Sequence, residues 1–190
     1  MMNRFLSRFT MFDLVVLALM ACLGIASKPI IVPLTHIITG PLYVPGGVIA
    51  GGFYMMWIVL GAGLVRKTGA GTLVAAVQAI MVMALGIYGT HGLMSLFTYL
   101  LPGLAVDLVW LVGGRRGTMA AFSFFAGMAA NTSGVFLVNV VFFRLPLIPL
   151  VLSLSSAALS GGLGGLVAYT VIRQVEKSRL KTILMRGDAL

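Results

Sequence analysis

Acidic side chains are almost missing from this sequence: Asp13, Asp107, Glu176 and Asp188 are the only ones in 190 residues. They stand far apart in the chain, so no paired-carboxylate arrangement for general acid–base work is visible. Cysteine occurs once, as Cys22, which excludes an internal disulfide and a multi-cysteine metal site. Histidine occurs twice, as His36 and His91, and neither HExxH nor GxSxG appears. The run Gly61-Ala62-Gly63-Leu64-Val65-Arg66-Lys67-Thr68 misses a phosphate-binding loop by one position. Arginine stands where that loop needs a glycine to fold around phosphate. Enzyme chemistry is therefore not expected, and no cofactor is implied.

Charge of either sign is scarce, at 9% of residues, where a soluble domain carries about 25%. Apolar residues take the place of the missing polar surface, at 60% with a mean hydropathy of +1.10. The outer solvent for such a chain is lipid. Six apolar runs fall at about 12–31, 47–65, 70–88, 93–112, 119–143 and 147–172, followed by a basic tail over 173–190. Each is near the roughly 20 residues that a helix needs to cross the hydrocarbon core. The expected fold is an all-α integral membrane protein, a single domain of six transmembrane helices. No run is left over for a nucleotide-binding domain, so energy for any work comes from a partner.

The net charge of +9 raises the question of nucleic acid, but the placement of the charges answers it. Arg4, Arg8, Arg66, Lys67, Arg115, Arg116, Arg173, Lys177, Arg179, Lys181 and Arg186 fall on one side of the spans, and Lys28 and Arg144 on the other. That bias puts both termini in the cytoplasm by the positive-inside rule. The basic tail reads as a short helix lying on anionic lipid. Lipid, not nucleic acid, is the expected partner of these charges.

Polar groups inside apolar spans are costly and point to function by default. Asp107 sits inside the fourth span, Gln78 inside the third, and Asn131 and Asn139 inside the fifth. The connection from Lys28 to Gly46 is rich in proline and polar groups, as a lid over a cavity needs to be. A ligand pocket is therefore expected in the outer half of the bundle, under a lid at Thr35–Pro45. Its candidate residues are His36, Thr39, Tyr43, Gln78, His91, Asp107 and Asn131. The alternatives are bonding of these groups within the bundle, with Asp107 paired to Arg115 or Arg116, and a metal site through His36 and His91. Small residues at four-residue spacing let helices approach closely. Those in the second, fifth and sixth spans (Gly47 and Gly51; Ala126, Ala130 and Gly134; Ala157, Gly161 and Gly165) read as internal packing. Ala18, Cys22 and Ala26 in the first span offer a docking face for another membrane subunit.

Three stretches give the chain a family likeness. Gly40-Pro41-Leu42-Tyr43-Val44-Pro45, Val65-Arg66-Lys67-Thr68-Gly69-Ala70 and Gly103-Leu104-Ala105-Val106-Asp107-Leu108-Val109-Trp110 resemble segments of the substrate-binding S components of energy-coupling factor (ECF) vitamin transporters. The nearest group is the one for thiamine or hydroxymethylpyrimidine. The likeness implies capture of a small water-soluble vitamin or precursor from outside. It also implies uptake driven by a transmembrane T component and two cytoplasmic ATPases in a prokaryotic cell membrane, with Ala18, Cys22 and Ala26 at the T component. Two departures stand out: the acid of the fourth span is Asp107 where glutamate is typical, and the third span carries Gln78 and no carboxylate. A non-transport assembly subunit and a metal-ion uptake subunit are the competing functions.

Overall fold

The computed structural model describes residues 7–42, 45–86, 94–113 and 120–187, with the backbone alone for residues 42 and 180–187. Tyr43, His91, Arg115 and Arg116 lie outside the described residues. The described residues form six α-helices: α1 (Met11–Thr39), α2 (Gly46–Val65), α3 (Ala70–Leu85), α4 (Ser95–Gly113), α5 (Ala120–Val138) and α6 (Leu147–Gly187). A 3₁₀ turn, Gly40–Leu42, follows α1, and a π-helical turn, Asn139–Phe143, extends α5. All but α3 are long and apolar enough to cross a membrane, and α3 is a shorter apolar helix.

The bundle is inside-out relative to a soluble protein. Large apolar side chains such as Phe12, Leu19, Ile37, Leu108, Leu159 and Leu163 are exposed, while Gln78, Ser123, Asn131 and Asn139 are buried. Lipid solvates the apolar outside, and the polar groups turn inward. Helices α2, α5 and α6 pack against one another almost backbone to backbone. A Cβ at Gly164 would run into the Gly52 carbonyl, and one at Gly127 into the Gly161 carbonyl. The small residues of the second, fifth and sixth spans therefore serve internal packing. Asn131 adds a tie between the three helices, donating to the Val48 carbonyl (3.0 Å) and the Ala157 carbonyl (2.9 Å).

Two elements differ from the expected spans. α1 does not stop near Ile31 but continues through Pro29 and Pro33 to Thr39, absorbing the first five residues of the proposed lid. Each proline removes one intrahelical bond, yet unwinding would expose more backbone polar groups to lipid than the two already lost. The sixth span and the basic tail are likewise one continuous helix of 41 residues, about 62 Å long at 1.5 Å per residue. That is about twice the hydrocarbon thickness, so the tail extends the spanning helix instead of forming a separate one on the membrane surface.

The basic end is held by charge. Thr10 and Asp13 cap α1 reciprocally, and Asp13 also accepts from Lys67 at 2.5 Å. Arg66, in the left-handed conformation that ends α2, pairs with Glu176 of α6.

Candidate functional site

At the opposite end the helices part around a cavity of about 390 Å³, within the size range of small-molecule sites. α1 contributes Lys28, Val32 and His36, and the start of α2 contributes Pro45, Gly46, Gly47 and Val48. Deeper in α2 come Tyr54 and Met55. α4 adds Thr98 and Tyr99, and α5 with its π turn adds Gly134, Val135, Val138, Asn139 and Phe143. The positive-inside orientation makes this the outer half of the bundle. The walls are mostly aliphatic, with a few polar groups converging on them.

Lys28 is the most unusual of these. Its side chain is 7% exposed, although it belongs to a helix whose other face meets lipid. Its ammonium lies 4.2 Å from the Tyr54 ring centroid and 4.1 Å from that of Tyr99, and it donates to the Tyr99 hydroxyl. Tyr54 is fixed in turn, donating its hydroxyl to the Gly47 carbonyl at 3.0 Å. Asn139 is 1% exposed, and its amide nitrogen has no hydrogen-bond partner. His36 is exposed at the rim. Thr35 donates to the Gly46 carbonyl at 2.9 Å, closing α1 onto the start of α2. The approach is tight enough that a Cβ at Gly46 would lie 2.7 Å from the His36 backbone nitrogen.

Of the residues expected to form the site, His36 alone among the described ones lines this cavity. Thr39 is buried at the outer end of α1 with its hydroxyl unpartnered, and Gln78 packs against Gly24 of α1. Asn131 spends both amide hydrogens on the backbone ties of α2 and α6. Asp107 lies at the basic end. There it accepts from the backbone N–H of Gly71 (3.0 Å), the backbone N–H of Thr72 (2.8 Å) and the Thr72 hydroxyl (2.5 Å). It thus caps α3, whose own N-cap residue Gly69 has no side chain to do so. The expected pairing with Arg115 or Arg116 lies outside the described residues, as do Tyr43 and His91.

Sequence reasoning passed over Lys28, Tyr54 and Tyr99, and chose Asn131 where Asn139, two turns further out, faces the cavity. One signal was available: Lys28 is the only charged residue between Asp13 and Arg66. On the face proposed for partner docking, Ala18 is half-buried while Cys22 and Ala26 are exposed.

A family model described as the permease component of an ABC-type cobalt transport system matches residues 12–133. A solved structure described as an S-component of an ECF transporter superposes with a TM-score of 0.73 at 17% identity. The match covers 95% of this chain and 98% of that one, so the two share their fold from end to end. No curated protein matches the sequence significantly.

Proposed function

We propose that this chain, which belongs to the family of permease components of ABC-type cobalt transport systems, is the substrate-capturing subunit of an ECF-type importer. It is a multi-pass protein of the prokaryotic plasma membrane. The observation that carries the proposal is the outer cavity, built from four helices of an S-component fold. A cavity of this size takes one small organic solute, and its aliphatic walls with few polar groups are what such a solute requires. The solute is a water-soluble vitamin or vitamin precursor, thiamine- or hydroxymethylpyrimidine-like by the sequence resemblance. The faces of Tyr54 and Tyr99 suit a flat heterocycle. Lys28 repels the cationic thiazolium of thiamine and tolerates the uncharged pyrimidine. Power comes from a T component and two cytoplasmic ATPases, with the Ala18, Cys22 and Ala26 face of α1 docking on the T component.

Cobalt, named in the family's description, fits this cavity poorly. A divalent ion needs several nitrogen, sulfur or carboxylate donors. Among the described residues the lining offers His36 and the Met55 thioether, with no carboxylate or thiolate and with a lysine beside them. The experiment is native mass spectrometry of the detergent-purified protein with elemental analysis of the same sample. A small organic molecule is expected in the parent and lost in Val138→Trp, which fills the cavity. Stoichiometric metal, or a co-purified molecule that survives Val138→Trp, overturns the reading.

A further inference from the structure

The three acids among the described residues are far from Lys28. Asp13 is bound to Lys67, Glu176 to Arg66 and Asp107 to the start of α3, all at the basic end. Along α1 alone, Asp13 is 15 residues from Lys28, about 22 Å. Asp188 follows α6 in the sequence, beyond the described residues. A buried ammonium is ordinarily paired with an opposite charge, and among the described residues Lys28 has two ring faces and one neutral hydroxyl in that place.

Two further features of the same cavity call for an acceptor. The Asn139 amide nitrogen is a buried donor without a partner. The first turn of α2, at Gly46 and Gly47, lines the cavity without a side-chain cap, and a helix N-terminus favours negative charge.

We infer that the solute held in this cavity is an organic monoanion, whose carboxylate sits between Lys28 and Asn139 while its flat or apolar body lies against Tyr54, Met55 and Val135. A carboxylate offers two oxygens to these two donors, and its single charge matches the single cation. The inference rests on the reading of the cavity as the substrate site, and it puts an acid in the place of a thiamine- or hydroxymethylpyrimidine-like solute.

Matched probes test it. Nicotinate and nicotinamide, and benzoate and benzamide, share shape and differ in the charge of one group. Calorimetry on the purified protein is expected to show each carboxylate binding at least about tenfold tighter than its amide, about 1.4 kcal/mol. Lys28→Met, which keeps an unbranched side chain one atom shorter and removes the charge, should abolish the preference. Asn139→Leu should weaken the carboxylates and leave the amides unchanged. Equal binding of acid and amide, a preference that survives Lys28→Met, or no binding of either carboxylate at millimolar concentration overturns the inference. Val138→Trp separates the two levels. If it removes binding that shows no acid preference, the cavity stands and the anion falls. If acid-selective binding persists in Val138→Trp, the site lies elsewhere and the cavity reading falls.

Discussion

Replacing Asp107 by asparagine separates a structural acid from a ligand-binding one. The carboxylate accepts three hydrogen bonds, two from backbone N–H groups in the first turn of α3 and one from the Thr72 hydroxyl. It is 8% exposed, so water does not readily take its place. Asparagine keeps one oxygen for Gly71 but turns an N–H₂ toward the Thr72 N–H, donor against donor. Leaving one buried donor unsatisfied costs about 1–3 kcal/mol. Losing the negative charge at a helix N-terminus adds about 0.3–1 kcal/mol. The expected result is a loss of about 1–4 kcal/mol in reversible dodecyl sulfate unfolding of the purified protein. Ligand affinity should stay within a few fold, since the cavity is at the other end of the bundle. Asp107→Ala should cost as much or more. Unchanged stability in Asp107→Asn, together with a tenfold or greater loss of binding, would refute the capping role.

Two further outcomes follow from the packing. Changing Ala26 to tryptophan should abolish pull-down of the T component and ATPases while ligand affinity is preserved, because Ala26 is exposed and outside the cavity; complex formation at parental levels would remove the docking face from α1. Asn131→Leu should lower unfolding stability by about 0.6–2 kcal/mol through loss of its two interhelical bonds, with binding altered only through stability; a selective loss of binding would make Asn131 a ligand group after all.

The bundle itself was legible because lipid imposes it. Apolar runs of about 20 residues bounded by Arg66-Lys67 or Arg115-Arg116 leave little choice of architecture. The glycine and alanine stripes of α2, α5 and α6 were legible for a similar reason, since four-residue spacing of small side chains has few other uses. The site was less legible. Two prolines near Lys28 suggested a loop, because local propensity does not register that a membrane helix has nowhere to send its unpaired backbone groups. With Lys28 assigned to a loop, its charge read as a topology signal instead of an intramembrane cation. Asp107 misled in the opposite sense: an acid in a span points to function by default, but the residue it serves, Gly71, is 36 positions away in sequence. Which of two asparagines on α5 faces the cavity depends on helix rotation. Asn131 and Asn139 are eight residues apart, and that angle is set by contacts with Gly51 and Gly161 that no pattern in α5 alone reveals.

The length of α6 makes it a lever. Its spanning part is clamped against α2 and α5, and the same rod continues unbroken from Arg173 to Gly187, about 22 Å beyond the apolar stretch. Rotating the spanning part by about 10° would sweep the far end through about 4 Å, at the rise per residue of an α-helix. The Arg66–Glu176 pair sits at the near end of this arm, where the torque from a load at the tip is greatest. Any subunit that gripped the arm from the cytoplasm would therefore have mechanical purchase on the helix wall that α2 and α5 share, with the Arg66–Glu176 pair at the base of the lever.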